Sequence, residues 1–165
     1  MHAATLVELE TLGWDPRTVG EQDHRLLKAP SLKLRSARSG GNGDAIFCID
    51  LRIRRPNANE YLSTTELHSV EHFLLEGFQR LLPTSFVSVG VMGCQTGFYL
   101  TFLNDARAKV IGGALAQILT GMRAATAVPY ARIDQCGNYR NHSLERARRV
   151  AEEVLRCEAA WLQAL

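Results

Sequence analysis

Long apolar runs are missing from this sequence. Nowhere does it approach the roughly 18 consecutive apolar residues that a membrane-spanning helix needs, so a membrane partner of that kind is not expected. Met1–Leu12 lacks the pattern of a basic stretch followed by a long apolar one, so no export signal is expected and a cytoplasmic setting is. Net charge is scarce as well. Lys and Arg number 19 against 17 Asp and Glu, and the resulting +2 gives no argument for nucleic acid or an anionic membrane as partner. Cysteines are few and scattered: Cys48, Cys94, Cys136 and Cys157 form no C-x-x-C pair. Without an export signal they are expected as thiols, each free to be filler, ligand or catalyst. No internal repeat or low-complexity tract is present.

What is there suits one globular domain with a real core, since 46% of the 165 residues are hydrophobic and 22% charged. Basic residues gather at Lys33–Arg38, Arg52–Arg55 and Arg146–Arg149, the last alternating with Glu145, Glu152 and Glu153 as on a solvated helix face. Residues 1–20 contain Gly13, Pro16 and Gly20, show a short helical pattern at Thr5–Leu12, and read as a loosely attached extension to a domain spanning 21–165. Residues 31–38 alternate apolar and polar, the period of a half-buried strand; 39–44 form a turn, and 45–53 the next strand. A helix is predicted from Thr64 to about Leu82, ended by Pro83. Strands at 86–92 and 97–103 flank the turn Gly93-Cys94-Gln95-Thr96, and helices are predicted over 105–126 and 143–162. Short connections between strands favour an α+β fold: a four-stranded antiparallel sheet packed with helices in a single domain.

The sharpest local signal is His68-Ser69-Val70-Glu71-His72. Residues four apart on a helix lie about 40° apart, so both imidazoles project from one face. Glu71 emerges near the same edge, within reach of a metal-bound water or a substrate. H-x-x-E-H is the inverted form of the zincin motif, a pattern for metal-assisted chemistry. A catalytic metal needs a third protein ligand and an open position. Cys136, beside Gly137 and outside any predicted helix, is the candidate, with a buried apolar cysteine as the alternative reading. Two imidazoles and a thiolate leave a divalent ion net positive, able to polarise a carbonyl.

Taken together, LHSVEH (67–72), MGCQTGFYL (92–100) and QCGNYRNHSL (135–144) resemble the signature segments of the S-ribosylhomocysteine lyase (LuxS) family. Asp23-His24, Ala29-Pro30 and GDAIFCIDLRIRRPN (43–57) are similar to its N-terminal segments, so the likeness covers about 23–156. The resemblance implies His68, His72 and Cys136 as ligands of ferrous iron, with zinc or cobalt able to substitute. It implies Cys94 and Glu71 as the general acid/bases, with Arg52 stabilising the Cys94 thiolate and the substrate. His24 is implied as a substrate contact. The implied reaction moves the ribosyl carbonyl along the sugar by two enolisations, and β-elimination then releases homocysteine and 4,5-dihydroxy-2,3-pentanedione. A homodimer with its active site at the subunit interface is implied too. His142 closes the third signature and serves equally well as a cap for the helix that follows, so it stays outside the expected site.

The sequence also departs from the family. Ser88-Val89-Gly90-Val91 stands where members carry Asp-Ile-Ser/Thr-Pro, and Val19-Gly20-Glu21-Gln22 where a Ser-Phe pair is common. Loss of a carboxylate that pairs with a substrate amine alters which substrate fits. A divergent isomerase or lyase acting on another sugar thioether or α-hydroxycarbonyl compound is therefore the alternative. A metallopeptidase and a closed structural zinc site are further readings, testable by the ligand set.

Overall fold

The computed structural model describes residues 6–165; Thr5, where the first helical pattern starts, and the residues before it lie outside the described residues. The elements run α1 (Leu6–Thr11), β1 (Ser31–Ser39), β2 (Ala45–Arg52), α2 (Thr64–Leu81), β3 (Phe86–Val91), β4 (Gly97–Leu103), α3 (Ala108–Ala124) and α4 (Leu144–Leu155). Short 3-10 turns occur at Pro16–Thr18 and Glu158–Ala160. The strands form one antiparallel sheet in the order β1-β2-β4-β3, as the α+β reading expects.

Strand alternation sorts the sheet into two faces. Phe47, Ile49 and Leu51 of β2 sit opposite Phe102, Leu100 and Phe98 of β4, and all six are buried. The helices cover this face: Phe78 of α2 stacks on Phe86 at 5.3 Å and meets Phe102 edge-on at 5.6 Å. Gly77 lets α3 come close to α2, because a Cβ there would lie 2.3 Å from Cγ1 of Ile118. The opposite face carries polar residues instead. Lys33 pairs across the ladder with Asp50, Asp50 shares its face with Arg52, and all three are buried.

The start of α2 is fixed locally. Ser63 Oγ accepts from the Glu66 amide while Glu66 accepts from the Ser63 amide at 2.7 Å, a reciprocal cap that satisfies two otherwise unpaired donors. This cap sets the helical phase one turn before His68.

Two expectations are corrected. The described part of the extension is fastened rather than loose: Leu9 and Trp14 are buried in the core, and Trp14 Nε1 donates to the Ala106 carbonyl at 2.7 Å. An indole anchored in this way outweighs the loosening expected from Gly13, Pro16 and Gly20. The last helix stops at Leu155 rather than reaching Leu162. Trp161 folds back so that its Nε1 donates to the Val154 carbonyl at 3.0 Å, and its own carbonyl accepts from the Leu32 amide at 2.7 Å. Burial of the ring and pairing with β1 outcompete another turn of helix. The same edge of β1 is bonded again where the Gly20 amide donates to the Leu34 carbonyl at 3.2 Å, and just before the strand where the Lys28 amide donates to Ala164 at 2.9 Å.

Gly97 links the fold to the loop carrying Cys94. It pairs with Arg52, and a Cβ at this position would lie 2.1 Å from the Leu51 carbonyl oxygen. Backbone cannot yield as a side-chain tip can, so Gly97→Ala is expected to destabilise the protein by about 3 kcal/mol. Chemical denaturation would read the loss, and a midpoint equal to that of the parent would contradict this account of the close approach.

Candidate metal centre and thiolate corner

His68 and His72 stand one turn apart on α2, with ring centroids 4.7 Å apart and planes nearly perpendicular. The irregular segment 125–143 between α3 and α4 folds over them. His72 Nδ1 donates to the Pro129 carbonyl at 2.7 Å, and His68 Nδ1 donates to the Asn141 carbonyl at 3.1 Å. A carbonyl can only accept, so both rings carry a proton on Nδ1, and the lone pair of the neutral imidazole then lies on Nε2. That is the arrangement in which an imidazole binds a metal. Side chains flanking the histidines pin the same segment. Thr65 Oγ1 donates to Asn141 Oδ1 at 2.7 Å, and the Ser143 amide donates to buried Ser69 Oγ at 2.9 Å. Cys136 is delivered by a turn in which its amide donates to the Arg132 carbonyl, and its Sγ lies 3.3 Å from His68 Nε2.

A fourth group joins them. His142 Nε2 is 3.6 Å from Cys136 Sγ, and its ring lies 4.0 Å from that of His68 and 4.5 Å from that of His72. The donor atoms of His68, His72, Cys136 and His142 all lie within 4.8 Å of one another. Burial first, then the neighbouring His68 and His72, push the His142 pKa down to about 4, so this ring is neutral at physiological pH. The capping role considered for His142 belongs instead to Ser143, whose Oγ accepts from the Arg146 amide. One sequence signal bears on this: His142 directly precedes a good N-cap residue, where the chain has not yet become helical.

The cluster is able to bind a metal. Nitrogen ligands at about 2.1 Å and sulfur at about 2.3 Å around a tetrahedral ion lie about 3.6 Å from one another. The separations of 3.3 and 3.6 Å are of that size. Soft thiolate and borderline imidazole donors suit zinc, ferrous iron or cobalt rather than magnesium or calcium.

Cys94, Arg52 and His24 assemble elsewhere. Cys94 sits in the β3–β4 turn, where Gln95 adopts a positive φ of 59°. Its Sγ is exposed, 2.9 Å from Thr96 Oγ1 and 3.8 Å from Arg52 Nη1. Burial raises the thiol pKa, but hydrogen bonds from the Thr96 side chain and backbone, followed by the Arg52 charge, outweigh it and lower the pKa below its usual 9.0. Arg52 is aimed by its own partners. Nη2 is held by Asp50 at 2.9 Å and Nη1 by Thr96 Oγ1 at 2.6 Å, in a buried network. Asp50 and Thr96 are the positions that sequence reasoning missed. The two-residue spacing of Asp50 and Arg52 on a strand was the available signal for the first, since it puts both on one face.

His24, Tyr61, Asn57 and Cys94 line a cavity of about 350 Å³, within the range of small-molecule sites. Its lining includes neither Glu71 nor any residue of the metal cluster. Glu71 is half-buried on α2, one residue before His72. No hydrogen bond or ion pair among the described residues connects the two groups.

Fold and donor set together define a class: a single-domain α+β protein with a His/Cys cluster, built from a helix and a loop, that is able to bind a metal. The family model of S-ribosylhomocysteinase (LuxS) matches residues 20–164. The S-ribosylhomocysteine lyase of Halobacillus halophilus is 38% identical over 86% of this chain and 91% of its own length. Those of Listeria monocytogenes and Dichelobacter nodosus are each 38% identical, covering 88% and 90% of their own lengths. The chain belongs to the S-ribosylhomocysteinase (LuxS) family.

The lowered Cys94 pKa has a direct readout. Alkylation needs the thiolate, so its rate at Cys94, followed by peptide mass spectrometry, is expected to rise at lower pH than for an ordinary cysteine. Thr96→Val removes a hydrogen bond to the sulfur and should move the midpoint upward. Cys48, whose thiol burial pushes up, serves as the slow internal reference. A midpoint for Cys94 at or above that of a free cysteine would rule out the thiolate corner.

Proposed function

We propose that this chain is a metal-dependent S-ribosylhomocysteine lyase, a carbon–sulfur lyase of the cytoplasm, with His68, His72 and Cys136 as metal ligands. The observation that carries this reading is the convergence of two Nδ1-anchored imidazoles with one loop thiol. Ferrous iron is the proposed ion, with zinc or cobalt able to substitute. Held by these three residues, such an ion would supply Lewis acidity toward a substrate oxygen.

The protein residues then move protons. Cys94, whose thiolate form Thr96 and Arg52 favour, takes the proton from the carbon next to the carbonyl. Glu71, next to a ligand on α2, carries protons between the sugar oxygens and carbons. After the carbonyl has moved twice, removal of the proton beside it expels homocysteine as a thiolate and leaves 4,5-dihydroxy-2,3-pentanedione. Arg52, fixed by Asp50, contributes to substrate binding as well as to the thiolate. His24, on the rim of the cavity with Cys94, contacts the substrate.

We also propose a homodimer in which the thiolate corner of one copy faces the metal cluster of its partner. The separation of the two groups within one chain supports this arrangement. Exposed Ile46, Val87 and Val91 on the strands supply apolar surface for such a contact.

A second reading retains the same residues but changes the substrate. Ser88-Val89-Gly90-Val91 offers no carboxylate for a homocysteine ammonium, which favours another sugar thioether or α-hydroxycarbonyl compound. The test is thiol release from S-ribosylhomocysteine by iron-loaded protein under anaerobic conditions. Cys94→Ala and Glu71→Gln should each lower kcat/KM by about 10²-fold or more while metal content stays stoichiometric. Cys136→Ala should lose the metal. Stoichiometric iron with no thiol released would discard the lyase reading and leave the second one standing; a Cys136→Ala protein that still holds iron would remove the ligand set.

A further inference from the structure

Three histidines surround Cys136, and their distances alone do not sort them: His142 Nε2 at 3.6 Å from the sulfur suits a ligand or a hydrogen-bond donor equally. The second ring nitrogen does sort them. In His68 and His72, Nδ1 donates to a backbone carbonyl, which commits Nε2 to the metal. His142 Nδ1 is buried and has no partner among the described residues. If Nε2 of His142 bound the metal, the ring proton would be forced onto this buried Nδ1, where no acceptor receives it. A buried donor left unpaired is costly, whereas placing the proton on Nε2 gives it the Cys136 sulfur as acceptor.

We propose that His142 is a positioning residue rather than a ligand: its Nε2–H donates to the Cys136 thiolate. This rests on the metal-centre reading above and goes beyond it. The donated hydrogen bond withdraws electron density from the sulfur, lowering its donor strength and leaving the ion a stronger Lewis acid. It also leaves a tetrahedral position free for a substrate oxygen, which a fourth protein ligand would fill. The ring is fixed for this role by its contacts with both ligand histidines and by the Ser143–Ser69 bond directly after it.

The tautomers can be read without any mutation. In zinc-loaded protein labelled with 15N-histidine, long-range proton–nitrogen correlations should show His68 and His72 protonated on Nδ1 and His142 on Nε2. Protonation of His142 on Nδ1, with Nε2 shifted as a metal-bound nitrogen, would overturn the proposal. Cobalt-loaded variants give an independent readout. His142→Phe should move the thiolate-to-cobalt charge-transfer band to longer wavelength, with visible ligand-field bands of unchanged intensity. His142→Gln, which can still donate, should restore the band. An unmoved band in His142→Phe, or ligand-field bands signalling a lost ligand, would each reject the idea. Parent protein that takes up neither zinc nor cobalt would instead remove the metal centre itself, and this role with it.

Discussion

The whole centre depends on two hydrogen bonds from imidazole to backbone carbonyl. They join a rigid helix to a segment without regular structure, and each does two jobs. His72 to Pro129 and His68 to Asn141 orient the two rings of the cluster, and the same bonds hold the loop that carries Cys136 between them. Thr65 and Ser69, on the same turns of α2, add side-chain bonds to Asn141 and Ser143. Ligand geometry and loop conformation are therefore one problem with one solution. The loop need not be stiff in isolation, because the helix supplies the template and the reciprocal Ser63–Glu66 cap sets where that template begins.

The thiolate corner follows a different logic. There the sheet provides the template, and a buried ion pair provides direction. Asp50 removes the freedom of Arg52 at one end, so the other end of the guanidinium points at Thr96 and Cys94. A buried pair of this kind is weak evidence for stability but strong for orientation. Gly97 permits the close approach of β2 and β4 that brings the arginine beside the turn. One group is therefore built from helix plus loop and the other from sheet plus turn. Different parts of one small fold contribute chemistry of different kinds, a His/Cys cluster able to hold an ion on one side and an acidified thiol on the other.

Local periodicity made much of this legible beforehand. The strands and α2 were readable within a residue or so, because their alternation and caps are properties of adjacent residues. The shared face of His68 and His72 follows from helical geometry in the same way. Cys136 was a candidate from its setting beside Gly137, but only motif resemblance favoured it over a buried apolar cysteine, since the path of 125–143 is decided by tertiary bonds. His142 was left outside the site because its place in the sequence served equally well as a cap for the next helix; its neighbours in space are His68 and His72 of α2 and Cys136 of its own segment. Asp50 and Thr96 escaped notice for a related reason: Asp50 acts through Arg52, Thr96 bonds both Arg52 and the Cys94 sulfur, and these contacts appear only when two strands and a turn are assembled. The packing of Trp14 and Trp161 was likewise invisible, because an indole reveals its partner only once the core exists.

The backbone at the rim of β1 has a consequence for how copies of this molecule can meet. Outward-facing groups of Leu32 and Leu34 are already bonded to Trp161 and Gly20, and the Lys28 amide just before the strand to Ala164. An exposed strand rim is ordinarily a template on which a neighbouring chain can extend the sheet. Here Gly20 and the Trp161–Ala164 segment occupy the first part of that template. A neighbouring chain that extended the sheet along Leu32–Leu34 would first have to displace these segments, so that stretch of the rim is guarded against strand addition while the β3 rim at the far side of the sheet is a separate edge.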